Sequence, residues 1–134
     1  MYSIKKLEHL CSYKAKITEV INFGMTPLGR RLDVCFDGDL AGDLLSGRMR
    51  GVDYILVRSD GVGEIHVRGA ITTKDGVNIS VEISGYGDEN GDIRDAHVKF
   101  LTGHEKYQWL TSKIVVGKGK SANGQLEFDY YYEP

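Results

Sequence analysis

The sequence is poor in proline and cysteine, with two of each in 134 residues. It has no apolar run of the length that a signal peptide or a membrane-spanning helix needs, and no block of charges of one sign. Lys and Arg number 17 against 19 Asp and Glu, which gives a net charge of −2. These absences argue against nucleic acid and against membranes as partners, and we expect a cytoplasmic protein.

The two cysteines predict neither a disulfide nor a metal site. Cys11 and Cys35 lie in segments that read as strands, and thiols in a reducing compartment normally stay free. His9 and Cys11 share a strand face, but the other three histidines form no spaced cluster, so we predict no metal and no other cofactor. The sequence also lacks a Gly-x-Ser-x-Gly motif and a cysteine in an activating environment, which argues against covalent catalysis.

Glycine is abundant, with 17 residues, and five of them stand in Asp-Gly or Asn-Gly dipeptides. These dipeptides tolerate positive φ and predict hairpin turns. They are Asp37-Gly38, Asp60-Gly61, Asp75-Gly76, Asn90-Gly91 and Asn123-Gly124. Pro27 and Gly29 suit the second and fourth positions of a further, type I turn. Tight turns therefore organise the chain.

Between the turns, apolar and polar residues alternate with the period of two that is typical of strands. The clearest pair of strands flanks Asp75-Gly76, and others are expected near 7–17, 31–36, 44–49, 53–58, 95–100, 114–118 and 126–132. Only residues 104–112 could form a helical turn, so no helix covers a sheet. About eight to nine such strands predict one all-β domain over residues 1–134, a closed antiparallel β-barrel with short hairpin turns. A β-sandwich is the alternative.

Several distinct motifs are spread along nearly the whole chain. Among them are Gly24-x-Thr26-Pro27-x-Gly29-Arg30-Arg31, Gly51-x-Asp53-Tyr54, Val57-Arg58-x-Asp60-Gly61 and Tyr107-x-Trp109-Leu110. Together with Glu64 and Arg68, they resemble the uncharacterised family catalogued as domain of unknown function 3237. The resemblance implies a small barrel, similar in architecture to allene oxide cyclase and dirigent barrels, with a lumen open at one end and no assigned reaction. Tyr54 stands where the family usually has tryptophan and Gly69 where it often has a bulky residue, which predicts a reshaped lumen.

Glu64, His66 and Arg68 share one face of a predicted strand and form the first candidate site. Side chains two residues apart on a strand lie about 6–7 Å apart, so an acid, an imidazole and an anion clamp could reach one small molecule. We name Glu64, Arg68 and Asp53 as candidate catalytic residues. Inside a lumen, the Arg68 guanidinium would need a carboxylate partner, from Glu64, Asp53 or Glu82. The alternative is that this face is the solvent-exposed outside of the strand.

The candidate ligand-binding residues are charged or aromatic side chains that a lumen could hold: Arg31, Arg58, His66, Glu82, Tyr54 and Trp109. Arg30 and Arg31 are adjacent and point to opposite faces, so at most one of them enters the lumen. Asp53 and Arg58 also point oppositely in an undistorted strand. An aromatic residue such as Trp109 suits a pocket mouth, a core or a subunit interface equally well.

Three kinds of function remain open at this stage. The first is a cofactor-free cyclase, isomerase or lyase with acid–base residues in the lumen, and the second is a barrel that binds a small molecule without chemistry. The third is an interaction module. The Tyr-rich segment 130–132 favours a homodimer through the last strand, because two-fold pairs are the commonest oligomers.

Overall fold

The computed structural model describes residues 5–134 and shows eight antiparallel strands closed into a barrel. Each strand pairs with its neighbours in sequence, and the last returns to the first. The strands are β1 (Glu8–Thr26), β2 (Gly29–Ala41), β3 (Gly47–Val57), β4 (Gly63–Thr73), β5 (Asn78–Gly87), β6 (Asp92–Leu101), β7 (Val115–Ala122) and β8 (Gln125–Tyr132). A 3₁₀ helix (Glu105–Ser112) links β6 to β7. The predicted fold class is confirmed, and closure of one continuous sheet excludes the sandwich.

The strand count falls at the low end of the prediction because two expected strands are one. The segments near 44–49 and 53–58 overlap the two ends of one strand, β3, which continues through Gly51 and pairs there with Gly69 of β4. β1 also runs on to Thr26, well past its predicted end. The helical turn expected over 104–112 is the 3₁₀ helix, so that prediction is confirmed. Within residues 5–134, no helix is long and apolar enough to cross a membrane.

Four of the five predicted glycine turns are present. Gly61, Gly76 and Gly91 have φ of 86°, 85° and 79°, and at Asn123-Gly124 both residues have positive φ, as a two-residue primed turn requires. The turn predicted at Asp37-Gly38 is wrong, because both residues lie within β2. A Cβ on Gly38 would stand 2.1 Å from the backbone oxygen of Lys14, so this glycine allows β1 and β2 to approach closely.

The up-and-down strand order sorts the connections between two ends of the barrel. The upper end carries the β1–β2, β3–β4, β5–β6 and β7–β8 turns, and the lower end carries the other three connections. At the lower end, the 3₁₀ helix buries Tyr107 and Leu110 against the core. The Asp75 carboxylate, in the β4–β5 turn, accepts hydrogen bonds from Lys106 Nζ at 2.6 Å and from the Tyr107 hydroxyl at 2.7 Å. The helix is thereby fastened across this end.

The two halves of the barrel interior are packed differently. In the lower half, Leu45, Ile71, Ile79 and Leu110 are at most 1% exposed, and the space left among the inner side chains is about 10 Å³. The upper half is hollow. The barrel therefore offers a ligand only one end of its lumen.

The β1–β2 hairpin projects beyond the upper rim. β8 pairs with β1 only as far as Lys16, so the rest of β1 has β2 as its one neighbouring strand within the described chain. This part contains register shifts between Ile17 and Glu19 and between Asn22 and Gly24, and bulges of this kind increase the local twist of a strand. The hairpin exposes large apolar side chains, with Phe23 at 56% and Leu28 at 78%.

Candidate binding site in the upper lumen

A cavity of about 350 Å³ occupies the upper half of the lumen and reaches the turns at the rim. Its wall is mainly apolar, with side chains such as Val34, Ile55 and Val67. Met49, Ile83 and Tyr130 border both the cavity and the packed lower half, and so form its floor. The volume lies within the range of about 300–1,000 Å³ that is typical of small-ligand sites.

Two aromatic rings of β8 line the cavity because β7 leaves room for them. Phe128 and Tyr130 stack with their ring centroids 6.0 Å apart, and they pair with Gly119 and Gly117 of β7. A Cβ on Gly119 would stand 2.2 Å from a ring carbon of Phe128, and one on Gly117 would stand 2.7 Å from the Tyr130 ring. The Gly-x-Gly pattern of β7 therefore positions an aromatic wall on its neighbouring strand.

Asp53 is the carboxylate within the barrel wall that faces the cavity. It lies on β3 in the same phase as Ile55 and Val57, which also line the cavity. The β3–β4 ladder pairs Asp53 with Val67 and resumes at Leu56 with Glu64. In the interval, the backbone N–H of His66 donates to Asp53 Oδ1 at 3.0 Å. The side chain thus takes over a ladder hydrogen bond, and this bond holds the carboxylate in place.

The surroundings of Asp53 disfavour its ionised form. Burial raises the pKa of Asp53 to about 6, against the opposing effects of the His66 N–H, the His66 side chain and the Arg31 guanidinium. Within residues 5–134, no Lys, Arg or His side chain lines the cavity, and no cation lies within ion-pair distance of Asp53. Asp53 is therefore a carboxylate that changes charge near neutral pH and lacks a counter-ion.

Two tyrosine hydroxyls add polar atoms to the cavity wall. Tyr13 donates to the backbone carbonyl of Met49 at 2.6 Å, which leaves its oxygen free to accept. For Tyr130 we find no hydrogen-bond partner in the described part of the chain. Burial raises the pKa of both tyrosines above the usual range, so both stay neutral at physiological pH. The Tyr130 hydroxyl thus has a proton that no described residue accepts.

The rim of the cavity is acidic. Asp88 and Glu89 come from the β5–β6 turn, and Ser121 comes from the end of β7. The Asp88 carboxylate accepts the backbone N–H groups of Asn90 and Asp92 and shapes the turn. The Glu89 side chain lies against the β3–β4 turn, 3.1 Å from the position of a Cβ on Gly61. A ligand that enters from above therefore passes carboxylates first.

The structure corrects the first candidate site. Glu64, His66 and Arg68 alternate with the inward-facing Ile65 and Val67, so they lie on the outer face of β4. The interpretation that placed them in the lumen is wrong, and the exposed interpretation is correct. The apolar phase of the strand decides this, because it must face the core. Arg68 consequently needs no buried carboxylate partner.

Glu82 also lies on the outer face, where its carboxylate stands 3.7 Å from His66 Nε2. Tyr54 is 42% exposed on the outer face of β3 and packs edge-on against His66. Placing these two residues in the lumen is therefore wrong as well. Their surroundings are a shallow outer hollow, not the cavity.

The remaining candidates lie outside the cavity too. Arg58 pairs with Asp60 and lies 3.6 Å from Glu64 on the outside. Arg31 shares the outer face of β2 with Asp33, to which it donates at 2.7 Å. Trp109 belongs to the 3₁₀ helix at the lower end and packs against the core. Asp53 and Arg58 do point to opposite faces, as predicted.

Two of the terminal tyrosines lie in the core, whereas the sequence led us to expect them on a homodimer surface. Tyr130 and Tyr132 are 4% and 8% exposed and belong to the core, and β8 has a neighbouring strand on each side. The surface from which the homodimer was argued is thus largely buried within the chain. The homodimer itself stays a prediction.

The cysteines and metal-binding residue types add no second site. Cys11 and Cys35 are free thiols, and burial, with a smaller effect of Asp129, raises the pKa of Cys11 to about 12. Among residues 5–134, no three His, Cys, Asp or Glu side chains stand close enough together to hold a metal ion. The cavity is consequently the feature of the described chain best suited to a ligand.

A family model described as "Protein of unknown function (DUF3237)" matches residues 5–132. The chain belongs to the DUF3237 family. Among curated proteins, this DUF3237 chain is 28% identical to a UPF0311 protein of Rhodopseudomonas palustris, over 92% of the chain and 94% of that protein. It is 27% identical to a UPF0311 protein of Bradyrhizobium diazoefficiens, over 92% of the chain and 93% of that protein.

Solved structures share the barrel of this DUF3237 chain. A protein of unknown function from Clostridium acetobutylicum superposes with a TM-score of 0.87 at 23% identity, over 95% of this chain and 98% of that one. An enzyme from Penicillium herquei superposes with a TM-score of 0.69 at 22% identity, over 98% of this chain and 97% of that one. At these identities the likeness shows the fold alone.

Proposed function

We propose that this barrel binds one small, mainly apolar organic molecule in the upper lumen, where Asp53 orients it. The observation that carries the proposal is the 350 Å³ cavity, which has an apolar wall and one carboxylate inside it. Apolar walls supply binding free energy, and a few fixed polar groups supply orientation. The lower half of the same barrel shows that these strands can pack without such a space.

Titration with the fluorescent alcohol 1-naphthalenemethanol tests this proposal. The wild-type protein is expected to bind one molecule per chain, and Val67→Phe, which places a ring in the cavity, is expected to weaken binding at least about tenfold. Val52→Phe is the matched control, because Val52 lies on the outer face of β3. It should change affinity less than about twofold. Absence of saturable binding, or equal binding by Val67→Phe, would contradict the proposal.

A second candidate function is proton transfer by Asp53, and the pKa of about 6 specifically favours it. In this step the carboxylate takes a proton from a carbon beside a carbonyl, and the C–H electron pair stays on the ligand as an enolate. The Tyr130 hydroxyl can stabilise the enolate oxygen.

Deuterium incorporation into 2-indanone, followed by proton NMR, separates this role from binding alone. The wild-type protein should exchange the methylene protons faster than Asp53→Asn does, and its rate should fall as the pH drops below about 6. Equal rates in the two proteins would leave a binding barrel without this chemistry.

We further propose that the protein acts in the cytoplasm and as a homodimer. Sedimentation at micromolar concentration tests the assembly, since a monomer has a mass of 14.9 kDa. A species of that mass alone would contradict the dimer.

A further inference from the structure

The charged side chains that line the cavity have one sign. Asp53 lies inside it, Asp88 and Glu89 lie at its rim, and no Lys, Arg or His of residues 5–134 lines it. The basic groups that act on Asp53 lie on the outer face and have other partners: Arg31 donates to Asp33 and to backbone carbonyls, and His66 Nε2 lies 3.7 Å from Glu82. A carboxylate or phosphate entering this space would meet negative charge without a compensating cation.

The carboxylate of Asp53 lacks the partner that buried charges normally have. Its Oδ1 accepts one N–H, from the His66 backbone, and the described chain brings no cation to within 4.0 Å of it. A buried carboxylate is stabilised far better by a cation than by one neutral donor. An arriving ammonium group would supply that missing charge.

The walls also suit an organic cation. The rings of Tyr13, Phe36, Phe128 and Tyr130 line the cavity. Aromatic faces attract cations in addition to burying apolar surface, so they accept both the body of an amine and its charged group. The same walls would bind a neutral molecule through its apolar surface only.

Resting on the proposed function, we infer that the lumen is selective for the charge of its ligand and takes an apolar organic amine, whose ammonium group pairs with Asp53. The acidic rim attracts such a molecule and repels apolar carboxylates. This reverses the expectation from the sequence, in which an arginine in the lumen would clamp an anion. The arginines lie outside, and the carboxylate lies within.

Three naphthalene ligands of nearly equal size test the inference at pH 8: 1-naphthylmethylamine, 1-naphthalenemethanol and 1-naphthoate. The amine is expected to bind at least about tenfold more tightly than the alcohol. The carboxylate is expected to bind at least about tenfold more weakly than the alcohol. In Asp53→Asn, the affinity for the amine should fall to within about threefold of the affinity that the same variant has for the alcohol. Asp95→Asn is the control, since Asp95 is exposed on the outer face; it should keep the full preference.

A second measurement uses the wild-type protein alone. The amine stays protonated between pH 8 and pH 5, whereas Asp53 takes up a proton in this range, so the preference for the amine should shrink as the pH falls. Of the other groups nearby, Tyr13 and Tyr130 stay neutral, and Asp88 and Glu89 lie at the rim. The His66 side chain and the Arg31 guanidinium act on Asp53 from the outer face, so the same pH series is run on His66→Gln, which should keep the pH dependence of the preference.

The outcomes separate the two proposals. If the alcohol binds as tightly as the amine, or if Asp53→Asn or low pH leaves the preference intact, the inference is overturned and the binding barrel stands. If none of the three ligands binds in a saturable way, both the inference and the proposed function fail. Tight binding of 1-naphthoate would also overturn the inference.

Discussion

The lower half of the barrel is packed solid, whereas the upper half keeps a cavity of about 350 Å³. Both halves are built from the same eight strands with the same alternation, so the difference lies in the size of the inward side chains. Inward positions of the lower half carry leucine, isoleucine and phenylalanine, and the 3₁₀ helix adds Leu110. The upper half places Gly63, Gly87 and Ala96 at inward positions. Side-chain volume, rather than strand pattern, thus decides where this barrel is hollow.

Removing inner side chains should show the contrast most strongly. Ile71→Ala, in the lower half, is expected to lower the free energy of unfolding by about 3–4 kcal/mol, because it opens a cavity where Ile71 is 0% exposed. Ile55→Ala, in the cavity wall, should cost only about 1–2 kcal/mol, because Ile55 already borders empty space. Urea melts of the two variants provide the measurement. Equal losses would mean that the upper half is filled in solution.

Asp53 gives the upper half a pH dependence. Its pKa is raised from 3.8 to about 6, so the folded state holds this proton more tightly than the unfolded state, and stability falls as the pH rises from about 4 through about 6. Asp53→Asn keeps an acceptor for His66 and removes the charge. At pH 8 the free energy of unfolding of Asp53→Asn should be about 2–3 kcal/mol higher than that of the wild type.

The difference between Asp53→Asn and the wild type should be mostly lost at pH 4, because the folded-state carboxyl is then protonated and the unfolded-state carboxyl, with a pKa of 3.8, is partly protonated. Asp95→Asn, on the outer face, should show no such pH-dependent gain. Denaturant melts at pH 4 and pH 8 measure both variants. A constant difference at the two pH values would contradict the assignment of the effect to Asp53.

Larger side chains at inner positions should also distinguish the two halves, with a smaller change in stability than the alanine substitutions. Val67 and Val98 are both buried, at 6% and 5% exposure, but Val67 borders the cavity and Val98 the packed lower half. Val98→Phe should cost about 1–3 kcal/mol through overpacking, whereas Val67→Phe should stay within about 1 kcal/mol of the wild type. Thermal melts of the pair test this. A larger loss for Val67→Phe would show that the cavity is not free to receive a ring.

Much of the fold could be predicted because its signals are local. Four glycine turns and the period of two lead to hairpins, and hairpins without helical cover lead to closure. Asp37-Gly38 failed because the same dipeptide that suits a turn also allows close contact between strands. The dipeptide alone carries no signal for which of these applies.

The site was harder to predict because both faces of β3 look apolar. Ile55 and Val57 alternate with Tyr54 and Leu56, so the sequence does not show which phase enters the lumen, and Asp53 could be assigned only as one candidate among several. On β4 the apolar phase was clear, and it did indicate that Glu64, His66 and Arg68 face outward. The spacing of an acid, an imidazole and an arginine on one face also suited a catalytic site, and it favoured the opposite interpretation.

The aromatic wall gave one signal that remained unused. Gly117-x-Gly119 on β7 faces Tyr130 and Phe128 on β8, and glycines at alternate positions of a strand indicate a neighbour with large rings. The acidic rim left no comparable signal. Asp88 and Glu89 stand directly before the predicted Asn90-Gly91 turn, and only closure of the barrel brings them to the cavity.

The pairing of β1 with β8 has a consequence for folding kinetics. The His9 side chain bonds to Asp129 at 3.0 Å across a separation of 120 residues, whereas each other strand pair joins neighbours in sequence. Ordering so long a loop costs chain entropy, and contacts of this range generally form late. We therefore expect the hairpins to assemble first as an open sheet. The two edge strands, β1 and β8, then have unpaired backbone groups until they pair with each other in the last step. The rate of that step, rather than of hairpin formation, should determine how long the chain is exposed to intermolecular strand pairing.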